Sequence, residues 1–291
     1  MSFLYAVLFL SGIAVLFLLL LWKLEEIFAV LKKCKVTLID LYSKRKEKKP
    51  TIQDWEALHF QNDGQWYCNE TLIAHACGGN IRLNYTNSKD ALTQAVTDGF
   101  RIAEVDARFT KDKVLVCTHD FESTTELPEY ATFMARKIDG RFSPMDFEQC
   151  RSAAEENNLT LIVDVKLRNE LHAVAKYISR QGIPDGIYIQ IAAETELEQA
   201  AGLPVLYNLT FTEDYARVAA FCLKNNIRVV SISVQRLQQN EEWRILLEHN
   251  VKIYGHTVNS LSQYEDLRKK GVMGVFTDTL IPKDVFEIEE K

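Results

Sequence analysis

The sequence contains few cysteines and no cysteine-based motif. Its 291 residues include 6 cysteines, and none of them forms a CxxC pair or a regular spacing. This absence excludes zinc fingers and argues against a disulfide framework in a chain of this length. Scattered thiols are typical of small buried side chains in a reducing compartment.

Positive charge is also scarce over most of the chain. Residues 1–50 carry nine Lys/Arg against four Asp/Glu, whereas the remaining residues carry 25 against 36. Because a nucleic-acid-binding domain needs a basic face, the acidic main part of the chain argues against nucleic acid as a partner.

Charge is absent altogether from residues 3–22. Twenty residues at about 1.5 Å each span ~30 Å, the thickness of the hydrocarbon layer of a membrane. A removable signal peptide would have basic residues before a shorter apolar core, but no Lys or Arg precedes this run. We therefore predict a retained transmembrane anchor over residues 1–23.

All the basic residues of the first fifty follow the run, so the positive-inside rule predicts a single-pass protein whose main domain is cytoplasmic.

Residues 24–43 alternate apolar and charged positions at roughly helical period. This pattern predicts a helix that leaves the bilayer or lies along its surface, where its lysines could contact anionic head groups. We assign residues 24–70 to a basic juxtamembrane helix and linker, and residues 71–291 to a folded domain.

From residue 71 onward, short apolar runs alternate with amphipathic stretches. Eight strands are predicted at 72–76, 101–108, 160–166, 186–191, 204–209, 228–233, 251–257 and 274–277, with an extra short run at 114–117. Helices are predicted near 88–98, 145–157, 169–181, 194–201, 213–225, 240–249 and 260–270. Such alternation is typical of a parallel sheet covered on both faces. Eight units favour an α/β fold of the (β/α)8 TIM barrel type over an open sheet.

Three acidic residues end predicted strands. Glu104 and Asp106 are two positions apart, so their side chains point the same way, and Asp164 has a similar position in LIVDVK. Carboxylates that converge at a barrel mouth repel each other unless a cation lies among them. Oxygen ligands of this kind suit Mg²⁺ or Ca²⁺. For any one of these carboxylates taken alone, the alternative interpretation is a structural role, either in a salt bridge or as a helix cap.

Three histidines also end strand-like runs. His75 ends IAHA and His119 ends VCTHD, on either side of the Glu104-Asp106 pair. Two imidazoles beside carboxylates suit a general acid and a general base near neutral pH. His256, in IYGHTVN, could line the same pocket. Residues 120–144 contain no predicted strand and directly follow His119, so we expect a functional loop over the site.

The motifs occur in a recognisable order: IAHACGG, YTNSKDAL, EVDARFTKDK, VCTHD, LIVDVK, HTVNS and GVMGVFTD. In this order they resemble the glycerophosphodiester phosphodiesterases, barrel enzymes of the phosphatidylinositol phospholipase C-like superfamily. The likeness spans residues 72–282. The form His-Ala-Cys-Gly-Gly, in place of the family's His-Arg-Gly, resembles a divergent branch of that family.

The resemblance implies a role for each matching residue. His75 and His119 would be the acid–base pair, Glu104, Asp106 and Asp164 would hold a divalent metal, and Lys166 would face the phosphate. A glycerol hydroxyl of the substrate would attack phosphorus, and water would open the resulting cyclic phosphate. Substrates would be glycerophosphodiesters, lysophospholipids or glycerol-phosphate glycans, and the products glycerol phosphate and an alcohol.

Three positions depart from the family pattern and indicate an altered substrate. Ala76 replaces the arginine after the first histidine, a loss that Arg82 could compensate. Asp164 stands where glutamate is commoner, and His256 stands where an aromatic residue usually precedes Thr-Val-Asn. Two alternatives stay open on these residues: a phospholipase D-like lyase that stops at the cyclic phosphate, and a non-catalytic barrel that binds a phosphorylated polymer.

Overall fold

The computed structural model describes residues 65–68, 71–78, 85–121, 126–210 and 214–286. The predicted anchor, nearly all of the predicted juxtamembrane segment and Arg82 lie outside these ranges. Within them, no helix combines the length and the apolar character that crossing a membrane would require. All of the described residues belong to one unit, Ile52–Lys291.

Within the described ranges, nine strands form one sheet, and eight of them close into a parallel barrel. The strands are β1 (Thr71–Ala74), β2 (Ile102–Phe109), β3 (Leu115–Cys117), β4 (Thr160–Val165), β5 (Ile187–Ile191), β6 (Val205–Asn208), β7 (Val229–Ser233), β8 (Lys252–His256) and β9 (Gly274–Thr277). The order around the barrel is β1-β2-β4-β5-β6-β7-β8-β9, and β9 pairs with β1. β3 lies antiparallel on β2 outside this ring. The predicted eight-stranded barrel is confirmed.

Helices follow most of the strands. They are α1 (Lys89–Thr97), α2 (Tyr130–Ala135), α3 (Phe147–Glu156), α4 (Leu171–Ile178), α5 (Tyr215–Lys224), α6 (Val234–Gln239), α7 (Arg244–Glu248), α8 (Leu261–Lys269) and α9 (Pro282–Phe286). Short 3₁₀ helices cover Trp66–Cys68, His75–Cys77, Arg168–Glu170 and Glu194–Ala200.

The predicted helices correspond to these elements with two differences. The helix predicted near 194–201 is a 3₁₀ helix, and α7 covers only the second half of the stretch 240–249. The sequence pattern did not predict α2, α6 or α9, because five or six residues are too few to show a helical period. Residues 120–144, predicted as a loop without strands, contain α2, whose Phe133 is fully buried.

Local sequence explains where two helices begin. Ser88 precedes α1, and its Oγ accepts a hydrogen bond from the Ala91 amide at 3.0 Å. Asp146 precedes α3 and forms a reciprocal capping pair with Gln149. Such caps satisfy amide groups that have no partner within the helix, and they set the lengths of the loops that lead from the barrel mouth.

The barrel interior is apolar at its amino-terminal end and polar at its carboxyl-terminal end. Inward side chains near the strand starts form one buried cluster, which includes Ile73, Ile102, Ile162, Tyr188 and Tyr254. Trp66 closes this end with its ring 5.4 Å from Tyr188 and 5.3 Å from Tyr254. A second and larger core lies between the strands and the helices. Polar inward residues therefore collect at one mouth, where the active sites of such barrels lie.

Candidate active site

Three carboxylates meet at the carboxyl-terminal mouth of the barrel. β2 carries Glu104 and Asp106 on its inner face, and both side chains are buried. Asp106 lies opposite Asp164 of the neighbouring strand β4. One ligand oxygen from each of the three lies within 4.8 Å of the other two. The sequence predicted this convergence from the two-residue spacing on a strand.

Backbone and amide groups hold two of these carboxylates in place. The Ala76 amide donates a hydrogen bond to Glu104 Oε2 at 2.8 Å. Ala76 itself has a left-handed backbone, with φ of 48°, which aims its N–H into the mouth. Asn87 donates from Nδ2 to Asp106 Oδ2 at 2.8 Å and accepts from the Asp106 amide at 2.9 Å.

Cationic side chains flank the third carboxylate. Lys166 Nζ lies 2.8 Å from both Asp106 Oδ1 and Asp164 Oδ2. Arg168 Nη1 lies 3.5 Å from Asp164 Oδ1, and Glu196 fixes this guanidinium from its other side, with Nε donating to Oε1 at 2.8 Å. Burial alone would lower the pKa of Lys166, but the charges of Asp164, Asp106 and Glu104 raise it. Lys166, predicted to face phosphate, thus pairs here with two of the proposed metal ligands.

The surroundings of the cluster disfavour ionisation of Glu104. Burial and the neighbouring Asp106 raise the pKa of Glu104 to about 8, although His75 opposes that shift. A further positive charge nearby would favour the ionised form of this carboxyl group. Oxygen donors from three side chains, close together and at a solvent-facing mouth, fit a hard divalent cation such as Mg²⁺ or Ca²⁺.

His75 connects this cluster to the last strand. The residue opens the 3₁₀ helix after β1, and its Nδ1 donates to Asp278 Oδ1 at 2.8 Å. Its Nε2 lies 3.9 Å from Glu104 Oε2. Asp278 is fixed in turn by Asn259, which donates to Oδ2 at 2.8 Å and accepts from the Asp278 amide at 2.7 Å.

His75 and Asp278 shift each other's pKa. Burial alone would lower the pKa of His75, but the hydrogen bond to Asp278 and the charge of Glu104 raise it above its usual value. Burial would raise the pKa of Asp278, but the hydrogen bonds from His75 and Asn259 lower it. Asp278 is therefore an ionised acceptor that directs the Nε2 atom of His75 towards the carboxylate cluster.

His119 lies at the same mouth, beyond the end of β3. The preceding residue, Thr118, donates its amide to the Asp106 carbonyl at 2.9 Å, which brings the strand end beside the cluster. His119 Nδ1 lies 2.5 Å from Asp120 Oδ2, and its side chain is 48% exposed. Arg108 Nη1 lies 3.4 Å from Asp120 Oδ1. Among the described residues, the imidazole of His119 thus contacts the side chain of Asp120 and not the cluster formed by Glu104, Asp106 and Asp164.

His256 ends β8 and is a neutral, half-buried imidazole. Burial lowers its pKa to about 4, His75 contributes to the lowering, and Asp164 opposes it. Its ring lies edge-on to Phe276 with 6.3 Å between centroids. Its Nε2 atom is buried and has no hydrogen-bond partner among the described residues.

Sequence reasoning named most of this site and missed the residues that position it. The structure brings His75, Glu104, Asp106, Asp164 and Lys166 together, and places His119 and His256 at the same mouth. Asn87, Asn259, Asp278, Arg168 and Glu196 were not predicted as site residues. The motifs TNSKD, HTVNS and VFTD contain the first three, but only the folded chain shows what their side chains contact.

The fold and the site together define a class of protein. A closed (β/α)8 barrel with three clustered carboxylates and two histidines at its mouth has the groups that a barrel enzyme uses for acid–base chemistry. Residues 76–198 match the model of the Glycerophosphoryl diester phosphodiesterase family. The matched residues include Glu104, Asp106, His119 and Asp164, and begin one position after His75.

Solved structures of the same fold cover most of the chain. A glycerophosphodiester phosphodiesterase from Parabacteroides distasonis matches with a TM-score of 0.62 at 17% identity, over 76% of this chain and 98% of that chain. A phosphodiesterase from Oleispira antarctica, in complex with the product sn-glycerol-3-phosphate, matches with a TM-score of 0.62 at 16% identity, over 76% and 97%. One from Galdieria sulphuraria matches with a TM-score of 0.63 at 12% identity, over 76% and 98%.

A search of curated proteins finds no match to this chain. The solved structures share its barrel, and the family model recognises its site-bearing first half. The comparisons therefore show that residues 76–198 are similar to the glycerophosphoryl diester phosphodiesterase family and that the chain shares its barrel fold with the solved structures.

Proposed function

We propose that this protein hydrolyses glycerophosphodiesters, or lipids and glycans that contain glycerol phosphate, to glycerol phosphate and an alcohol. One observation carries the proposal. His75 is held by Asp278 on one side and reaches the carboxylate cluster with its other nitrogen. A base fixed at Nδ1 by a carboxylate has its Nε2 free to exchange a proton with a bound substrate.

The first step is an attack within the substrate. His75 Nε2 accepts the proton of a glycerol hydroxyl, and that oxygen forms a bond to phosphorus. The bond between phosphorus and the departing alcohol breaks, and His119 donates a proton to the alcohol oxygen. His119 is then neutral, and its partly exposed position gives water access to it for the second step.

The acidic residues prepare the phosphate for this attack. Glu104, Asp106 and Asp164 would hold a divalent cation, which polarises the phosphoryl oxygens and acidifies the attacking hydroxyl when bound. Lys166 and Arg168, which already lie beside Asp164, hold that carboxylate in place through ion pairs. Ala76 and Asn87 hold the other two carboxylates through their hydrogen bonds.

The second step opens the cyclic phosphate. His119 now accepts a proton from water, whose oxygen bonds to phosphorus, and His75 returns the proton to the glycerol oxygen that leaves. After the second step, each imidazole has the protonation state that it had before the first step. A lyase would perform the first step only and release the cyclic phosphate.

The test is an assay of purified protein on glycerophosphocholine, glycerophosphoinositol and a lysophospholipid, with Mg²⁺, with Ca²⁺ and with EDTA. We expect hydrolysis with one of the two ions and none with EDTA. Phosphorus NMR separates glycerol phosphate from an accumulated cyclic phosphate, and so separates the hydrolase from the lyase. If neither ion supports turnover of any ester, the proposal is overturned and a non-catalytic, phosphate-binding barrel replaces it.

His119→Ala removes the proposed proton donor. Loss of one acid–base group lowers turnover by about 10²- to 10⁴-fold, and because the side chain is half exposed the fold should be unaffected. His172→Ala, at an exposed position of α4, is the matched control and should keep wild-type activity.

We further propose that residues 3–22 anchor this enzyme in a membrane as a single-pass protein, with the barrel on the cytoplasmic side. The uncharged run and the lysines that follow it support this proposal. The anchor would keep the enzyme at the membrane, where lipid-derived phosphodiesters are found.

A further inference from the structure

Tyr85 is an exposed aromatic residue that lies against the ring of His75 at the barrel mouth. Its side chain is 54% exposed. The centroids of the two rings are 4.7 Å apart, and the ring planes meet at 77°, which is the edge-to-face arrangement that aromatic pairs prefer. A residue that touches the proposed base and is also open to solvent is accessible to the substrate on which that base acts.

The backbone holds Tyr85 in this position. Tyr85 has a φ of 59° and Asn87 a φ of 48°, a conformation that residues other than glycine rarely adopt and that the surrounding structure must therefore fix. The Asn87 amide donates to the Ala76 carbonyl at 3.1 Å, and the Asn87 side chain exchanges two hydrogen bonds with Asp106. Tyr85 is thus tied, through Asn87, both to the segment after His75 and to the carboxylate cluster.

The charges that act on the Tyr85 hydroxyl belong to the side chains of the mouth. Burial raises the pKa of this hydroxyl, and the charges of Asp278, Glu104 and Asp106 raise it further. The charge of Lys166 opposes these effects. Because electrostatic interactions weaken with distance, the hydroxyl lies near these four groups. With a raised pKa it keeps its proton at neutral pH and can donate a hydrogen bond.

Several other donors of the mouth are already bonded to carboxylates of the protein. They are the Ala76 amide, Asn87 Nδ2, Lys166 Nζ, His75 Nδ1 and Asn259 Nδ2. The Tyr85 hydroxyl, by contrast, forms no hydrogen bond with a described residue. A phosphate at the cluster would bring additional negatively charged oxygens, which bind strongly to hydrogen-bond donors. The Tyr85 hydroxyl is therefore a donor that remains available to them.

We propose that Tyr85 is a further substrate-binding residue of this site, and that its hydroxyl donates a hydrogen bond to a non-bridging oxygen of the substrate phosphate. The inference rests on the proposed phosphodiesterase function and adds a specific phosphate contact to it. The contact of the ring with His75 would keep the hydroxyl beside the phosphorus atom that is attacked. Because the product glycerol phosphate carries the same kind of oxygen, the hydrogen bond should contribute to product binding as well as to turnover.

The experiment compares two variants of the full-length protein. Tyr85→Phe loses the hydroxyl and keeps the ring, whereas Tyr85→Ala loses both. We expect Tyr85→Phe to lower kcat/KM for a glycerophosphodiester by about tenfold to hundredfold, the effect of one hydrogen bond to a charged group. Its affinity for sn-glycerol 3-phosphate, measured by calorimetry with Mg²⁺ and with Ca²⁺, should fall by a similar factor. Tyr177→Phe is the matched control, because Tyr177 lies on α4 and packs against Phe109, and it should match the wild type in both measurements.

The ¹⁵N shifts of the His75 ring distinguish a phosphate contact from support of the base. We expect Tyr85→Phe to leave these shifts unchanged, since the ring contact is kept. The proposal is overturned if Tyr85→Phe matches the wild type while Tyr85→Ala is impaired, because the ring alone would then matter. A change in the His75 shifts of Tyr85→Phe would also overturn it, since the loss would then act through His75.

Failure of the proposed function gives a different result. In that case the wild type hydrolyses no ester with either ion, but binding of sn-glycerol 3-phosphate still tests the contact. Weaker binding by Tyr85→Phe than by the wild type would support the contact in a barrel that only binds phosphate. A wild type that binds no sn-glycerol 3-phosphate would overturn the contact as well.

Discussion

Asp278 controls the orientation of His75 through one hydrogen bond of 2.8 Å. Replacing it with Asn keeps the shape but removes the charge that raises the pKa of His75. By analogy with the serine-protease aspartate, where this change lets the histidine take the wrong tautomer, we expect kcat to fall about 10²- to 10⁴-fold.

The measurement for Asp278→Asn is the pH profile of kcat together with the ¹⁵N shifts of the His75 ring. The limb of the pH profile that reports ionisation of His75 should move to lower pH, because the charge that raises the pKa of His75 is gone. The His75 ring should also lose its fixed Nδ1–H tautomer. Asp284→Asn, an exposed carboxylate on α9, is the control. An unchanged tautomer in Asp278→Asn would show that His75 is held by something else.

His256 should make the protein less stable in acid. Its folded-state pKa of about 4 lies below the usual 6.5, so between these values the unfolded chain binds a proton that the folded chain does not. Stability therefore falls as pH drops from 6.5 towards 4. The full shift corresponds to about 3 kcal/mol, and partial exposure of the ring to solvent reduces this.

Urea unfolding of the wild type and His256→Phe between pH 4 and pH 7 checks this prediction. The variant should show a smaller loss of unfolding free energy on acidification, whereas His172→Gln, on the exposed face of α4, should keep the wild-type slope. If the free energy of unfolding falls equally with pH in the wild type and in His256→Phe, His256 does not have a lowered pKa in the folded protein.

At the scale of elements, closure of the barrel depends on Gly274 in β9. A Cβ atom built at this position would lie 2.0 Å from the Thr71 carbonyl oxygen and 2.7 Å from Tyr254 Cε1. Thr71 is its partner on β1, so the strand that closes the ring can approach only if residue 274 has no side chain.

Gly274→Ala should therefore destabilise the fold by at least about 3 kcal/mol, since backbone atoms cannot move aside as flexible side chains do. Gly140→Ala is the comparison, because its Cβ would meet nothing within 4 Å and only its positive φ of 68° adds strain, worth roughly 1–2 kcal/mol. Equal midpoints in thermal unfolding for the two variants would refute a steric role for Gly274.

At the scale of the whole molecule, we expect residues 3–22 to decide whether the protein partitions into membranes. Replacing Ile13 and Leu16 with arginine adds about 2.5–3.5 kcal/mol per residue to the cost of insertion. We expect the wild type to stay in the membrane pellet after carbonate extraction and the double-arginine variant to be released. Ile13→Leu with Leu16→Ile is the matched control. Release of the wild type would end the anchor proposal, and protease protection in inside-out vesicles would contradict a cytoplasmic barrel.

The sequence by itself determined the barrel and the grouping of the acidic side chains, because both depend on local spacing. Apolar strands separated by amphipathic helices can bury their surfaces only in a parallel, helix-covered sheet. A two-residue spacing on a strand puts Glu104 and Asp106 on one face whatever the rest of the chain does. The short helices α2 and α6 left no such pattern, because six residues hold fewer than two turns.

Contacts between distant parts of the chain were decided only by tertiary structure. Asp278 and His75 are 203 positions apart, and Arg168 and Glu196 are 28 apart, so no periodicity links them. A cavity at the ends of β6, β7 and β8 exists because the ring closes and brings three strand ends side by side. Spacing along a strand predicts which way a side chain points, but its partner depends on which strands become neighbours.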